Sequence, residues 1–180
     1  MHINLYTSTI PVMRKSLVAL SGIIDKAAAH ASTKATDRAP VEKQMDALFN
    51  DRLVFDQFAL GRQIQIATDN AKGGAARLAG IEAPQFDDTE KTVEEFKARL
   101  QRTIDFLDTV SESQIAGRED ELIVLPYYPN KSLTGSEYAA LYLIPNFFFH
   151  VTTAYAILRS QGVPLGKSDF IGQLPFKDLA

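Results

Sequence analysis

Between Ile10 and Ala27 the apolar residues fall at Ile10, Met13, Leu17, Leu20, Ile24 and Ala27, in steps of three and four. That spacing draws one buried stripe along an α-helix. Ser8 or Thr9 is placed to cap its start, and Pro11 sits in the first turn, where no intrahelical donor is lost. Residues 31–38 turn small and polar and predict a loop. Val41, Met45 and Leu48 then share one side of a short helix after Pro40. A second long helix is predicted over 55–78, with the line Leu60, Ile64, Ala67, Ala71, Ala75 and Leu78, ending at Gly80. The small residues Ala71, Gly74 and Ala75 leave room for another helix to come close. A third helix opens on the capping-box pair Thr92 and Glu95, with Val93, Phe96, Leu100, Ile104 and Leu107 on its core side. A second such pair, Thr134 and Glu137, opens the last helix, which runs to about Gln161 and stops at Gly162 with Pro164 beyond.

The periodicity fails between 111 and 133. There the run from Glu121 to Leu133 joins β-branched residues to two prolines and an Asn-Lys pair, predicting a short hairpin or extended flap. Pro145, inside the last helix, removes one backbone donor and predicts a kink or break that strands the Leu141 carbonyl. The link from Gly80 to Thr89 reaches roughly 35 Å when extended, barely enough to cross a bundle. A crossing link makes the second and third helices parallel, and a relaxed turn makes them antiparallel.

Composition narrows the function classes. A chain of 180 residues that is 46% hydrophobic and 23% charged is expected to fold as a single helical domain over 1–180. The formal net charge of −3, with lysines and arginines scattered, gives no basic face for nucleic acid. There are no cysteines, which excludes disulfides, cysteine-ligated zinc and a thiolate nucleophile. The N-terminus lacks the pattern of a signal peptide. The most apolar stretch, 139–151, is interrupted by Pro145, Asn146 and His150 and reads as too short to span a membrane. The expectation is a soluble cytoplasmic protein.

The candidate chemistry centres on His150, an imidazole within an apolar and aromatic helix. Asn146, His150 and Thr153 share one face, and Tyr142 precedes Asn146 by one turn. Two readings stand. His150 is a general base or metal ligand with Asn146 and Thr153 orienting its ring, or it is a buried core histidine with both nitrogens satisfied. The second is preferred on residue pattern, because a lone histidine carries no ligand spacing. Asp56, Gln63 and Asn70 recur every seven residues and read as a solvated strip, although Asp56, Arg62, Gln63 and Asp69 could also face His150 across the core. A buried ion pair such as Arg62 with Asp69, one heptad apart, would look the same. His30, at the end of the first helix, suits the helix dipole, and His2 lies at the terminus. The string from Gly162 to Ser168 has the wrong glycine spacing for a phosphate loop and leaves Lys167 and Asp169 as an exposed ion pair. Phe147, Phe148 and Phe149 cannot all point inward. Either Phe170, Leu174 and Phe176 fold back over them, or they form a dimer interface.

The segment from Arg62 to Ala67 and above all PNFFFHVTTAYAILR at 145–159, followed by GVPLGKSDF, are similar to an uncharacterised bacterial family. It is a domain of unknown function within the DinB/YfiT-like superfamily, and the resemblance covers nearly the whole chain. The fold it implies is all-α: a DinB-like four-helix bundle, often running up-down-down-up and often a homodimer, here with a short extended or hairpin insertion between helices 3 and 4. Many members of the superfamily bind a divalent metal through three histidines, one on the second helix and two spaced His-x-x-x-His on the last, and some are thiol-dependent S-transferases. His150 matches the first of the last-helix pair, but Ala154 stands at the second, and the second helix offers only Asp56 or Gln63. The resulting expectation is a bundle without the usual metal that binds a small molecule or partner near His150, Asn146, Tyr142, Thr153, Asp56 and Gln63. One alternative is a divalent-metal-dependent transferase or hydrolase with His150 as ligand. The other is a structural or interaction dimer with no site.

Overall fold

The computed structural model describes residues 2–179. The chain is mostly helical, with one small hairpin. In order it forms α1 (Ile10–Thr33), α2 (Val41–Asn50), α3 (Leu60–Ala79), α4 (Val93–Thr109), α5 (Glu112–Ile115), β1 (Leu122–Val124), β2 (Ser132–Thr134), α6 (Gly135–Glu137), a π-helical segment (Tyr138–Leu143), α7 (Ile144–Ser160) and α8 (Lys167–Ile171). Four helices of 17 residues or more, α1, α3, α4 and α7, enclose the core, and shorter helices join them. The predicted stripes are what they bury: Met13, Leu17 and Leu20 from α1, Leu60, Ile64 and Ala67 from α3, Phe96 and Leu100 from α4, and Phe147, Ala154 and Ile157 from α7.

Side-chain pairs fix the chain directions. Arg14 meets Asp108 and Lys97 meets Asp25, so α1 and α4 are antiparallel. Gly61 at the start of α3 lies against Phe96 near the start of α4, and Gly80 lies beside Arg118 just past α5. Helices α3 and α4 are therefore parallel, which requires the link 81–91 to return along α3. At roughly 3.4 Å per residue the link exceeds the ~30 Å rise of the 20-residue α3. Since α7 runs antiparallel to α3, the long helices go up, down, down, up.

Both capping boxes form: Glu95 N–H donates to Thr92 Oγ1 at 3.2 Å, and Glu137 N–H to Thr134 Oγ1 at 3.2 Å. Gly162 adopts φ +83° past the end of α7, as a helix-terminating glycine does. The hairpin pairs Ile123 with Leu133. Elsewhere the structure departs from the sequence reading. The first helix continues to Thr33, and Thr9 donates its hydroxyl back to Leu5 O at 2.6 Å rather than capping the helix. Pro145 does not break the helical rod, which runs unbroken over Gly135–Ser160. Ahead of the proline the backbone slips to i→i+5 bonding, with Ile144 N–H donating to Ala139 O, and the helix continues through the π turn. That 26-residue rod is long and apolar enough to cross a membrane, longer than the interrupted stretch read from sequence, yet Leu143, Phe147, Val151 and Ala154 are sealed in the core. Phe147 is buried, Phe148 is half-buried beside Phe170 of α8, and Phe149 faces outward. Leu174 and Phe176 stay exposed and do not fold back over them.

Candidate functional site

The interface of α3 with α7 carries a polar ladder inside an apolar contact. Its lower rung is set by the entry to α3. Leu60 N–H donates to Asp51 O at 2.9 Å, which turns the chain into the helix and brings Phe58 O over the Gln63 side chain. Gln63 Nε2 donates to that carbonyl at 3.0 Å. A carbonyl only accepts, so the amide is oriented with its NH₂ toward Phe58 and its oxygen toward α7. His150 Nδ1 lies 2.7 Å from Gln63 Oε1. Because that oxygen only accepts, Nδ1 carries the proton and Nε2 carries the lone pair. Gln63 is 1% exposed and His150 8%. Burial first, and the positive charge of Arg62 second, hold the His150 imidazole below the usual histidine range, so the ring is neutral at pH 7. Phe149 stands edge-on to it, with ring centroids 5.2 Å apart. Nε2 has no hydrogen-bond partner among the described residues.

One turn along, Asn146 Nδ2 donates to Asn70 Oδ1 at 3.1 Å, while Asn70 Nδ2 is sealed without a partner. Next, Gly74 lies so close to Leu143 that a Cβ there would fall 2.7 Å from Leu143 Cδ2 and 3.0 Å from Cγ. The small-residue line of α3 admits α7 as its spacing predicted. The ladder ends where Arg77 Nη1 reaches the Tyr138 hydroxyl at 3.5 Å.

Of the residues read from sequence, the structure joins His150 to Gln63 directly and sets Asn146 one rung away. The strip read as solvated is interior at Gln63 and partly so at Asn70. Tyr142 stacks on Tyr138 at 5.8 Å and faces the hairpin. Thr153 donates to Phe149 O at 2.7 Å, serving its own helix. Asp56 is not at the site. It is exposed in the turn before α3, which starts at Leu60 rather than Phe55. The Arg62–Asp69 pair does not form either: Arg62 bonds Asp88, while Asp69 pairs with Arg99 at 2.8 Å and Lys72 at 3.1 Å. Asp169 pairs with Lys26 at 2.6 Å rather than with Lys167, and it caps Gly166 N–H. His2 is exposed, and His30 Nε2 is sealed without a partner.

The largest polar cluster escaped the sequence reading. Arg99, 1% exposed, donates to Thr68 Oγ1 at 2.7 Å and Asp87 O at 3.2 Å, and it pairs with Asp69, Asp88 and Glu90. It pins the crossing link to α3 and α4. The signal was present: Arg99 falls in the stripe of Phe96, Leu100 and Thr103, and the link carries Asp87, Asp88 and Glu90.

A divalent metal needs several nitrogen, carboxylate or thiolate donors around one point. Here one imidazole faces a carboxamide whose oxygen already accepts from that imidazole, and Ala154 supplies nothing. The sealed Asn70 Nδ2 is a donor and cannot hold a cation. Among the described residues no three His, Asp or Glu side chains are arranged to hold a metal ion, and the three carboxylates that do gather surround the Arg99 guanidinium. The residues do not fit the metal that the resemblance implies. The arrangement can instead offer a neutral imidazole as hydrogen-bond acceptor or base.

The family model described as "Domain of unknown function (DUF1993)" matches residues 5–171. The crystal structure of a DinB family member protein from Shewanella denitrificans is 42% identical, with a TM-score of 0.89, covering 98% of this chain and 100% of that one. No curated protein matches the chain.

Proposed function

The chain belongs to the DUF1993 domain-of-unknown-function family of DinB-like proteins, and from that premise we propose that it is a metal-free helical bundle binding a small molecule at His150. The observation that carries this reading is the relay Phe58 O, Gln63, His150 Nδ1, which spends two buried polar groups on fixing one tautomer. A histidine needed only for packing has no use for a directed lone pair. The fixed Nε2 accepts a hydrogen bond from a hydroxyl or amide donor, and the outward Phe149 ring offers the apolar contact. The expected molecule is small, largely apolar and carries one such donor. Assembly as a homodimer belongs to the same proposal, and the exposed Leu53, Val54, Phe55 and Phe149 support it.

Phenol is a suitable probe. Titrated into protein labelled with ¹⁵N-histidine, it is expected to move the His150 Nε2 resonance saturably. His150→Phe, which keeps a flat aromatic ring, is expected to remain folded and lose that binding. A His150→Phe protein that keeps both its stability and all phenol binding would sink the proposal.

A further inference from the structure

A cavity of about 420 Å³ lies away from His150, between the hairpin and the π-helical segment. Leu125, Leu133 and Leu141 give it apolar walls, and Tyr128, Lys131 and Tyr142 bring polar ends to it. Two features select an occupant.

The first is unspent positive charge. Lys131, exposed at the hairpin turn, lines the cavity and makes no ion pair among the described residues. Arg77, half-buried, also has no carboxylate partner among them, and its one side-chain partner is the Tyr138 hydroxyl at 3.5 Å. Tyr138 stacks on Tyr142, which lines the cavity, so both cations lie around the same pair of phenols.

The second is the π turn itself. Slipping to i→i+5 bonding over Tyr138–Leu143 widens the helix and places Leu141 and Tyr142 together in the cavity wall. Burial, with the neighbouring Tyr128 and Tyr127 phenols, holds the Tyr142 hydroxyl above its ordinary range, so it remains a hydrogen-bond donor at neutral pH.

We propose that this cavity binds a small organic acid, an aryl-alkyl carboxylate. Its apolar body lies against Leu125, Leu133 and Leu141, and its carboxylate is held by Lys131 with the Tyr142 hydroxyl. The site is separate from the one at His150 and does not depend on it.

The test uses 4-phenylbutanoate and its uncharged analogue 4-phenylbutanamide, titrated into the full chain carrying ¹³C-labelled tyrosine. The expected result is a saturable change at Tyr128 and Tyr142, with the carboxylate binding about fivefold tighter than the amide. In Lys131→Gln, a change on the exposed hairpin, that preference is expected to vanish while amide binding persists. Equal affinity for acid and amide in the parent protein overturns the proposal. So does an unchanged preference in Lys131→Gln, or tyrosine signals that do not respond to the acid.

Discussion

Replacing Arg99 with leucine tests whether the crossing link is held by charge or only by packing. The guanidinium contacts three carboxylates, but they are not equally dependent on it. Asp69 and Asp88 are 37% and 38% exposed and keep Lys72 and Arg62 as partners, so water and those cations recover most of their loss. Glu90 is 9% exposed and would keep only the Gln65 amide, at 2.9 Å. Thr68, fully buried, would lose the donor that its hydroxyl accepts. Removing one partner of a buried ion pair costs ~3–5 kcal/mol when the other stays charged and unsolvated. With one carboxylate of three truly stranded, the lower end applies, about 3 kcal/mol. Equilibrium urea unfolding followed by circular dichroism measures it. Arg14→Leu is the control, because Arg14 and Asp108 are nearly half exposed and their pair is worth under ~1 kcal/mol. Adding Glu90→Gln to the Arg99→Leu protein is expected to recover part of the loss, since it removes the stranded charge. If Arg99→Leu costs no more than Arg14→Leu, the link is held by packing and the reasoning fails.

Three other outcomes follow from the geometry. Gly74→Ala drives a methyl into Leu143 and is expected to cost about 2 kcal/mol in urea unfolding, with Leu143→Ala in the same background returning part of it. Thr134→Ala removes one half of a capping box and is expected to cost about 1 kcal/mol and to fray the start of the last helix in hydrogen exchange. Folding depresses the His150 imidazole, so the unfolded chain binds its proton first as pH falls. The contribution is whole above the unfolded value of ~6.5 and is lost progressively below it. Urea unfolding of the parent between pH 7 and 5 is expected to show a stability loss that His150→Phe lacks.

The parts of this fold that were legible in the sequence are those governed by local chemistry. Apolar residues at steps of three and four mark the buried stripes, Thr-x-x-Glu pairs mark two helix starts, and Gly162 with Pro164 marks the end of the last helix. The hairpin was legible because its composition breaks the helical period. What stayed hidden depends on contacts far apart in sequence. Residues 55–59 carry an acceptable helical pattern, yet the bonds of Leu60 to Asp51 and Gln63 to Phe58 fold them away and take Asp56 out of the site. Pro145 reads as a break because its lost donor is a local fact, whereas the π turn ahead of it packs Leu143 against Gly74 of α3, a contact far away in sequence. The heptad of Gln63 and Asn70 was visible, but that α7 would pack on that face depended on contacts 76 and 87 residues away in sequence. Arg62 and Asp69 are seven residues apart and paired plausibly on paper. Arg99 and the acids of the link, arriving from elsewhere in the chain, took their places.

The central claim is a neutral, Nδ1-protonated His150 held by Gln63 without a metal. Its most direct test is the long-range ¹H–¹⁵N spectrum of the His150 ring at pH 7, recorded before and after one equivalent of Zn²⁺. The account predicts a protonated Nδ1 and an unprotonated Nε2, both unmoved by zinc, with the tautomer lost in Gln63→Leu. Stoichiometric displacement of the Nε2 signal by zinc, or a ring protonated on Nε2, would contradict it.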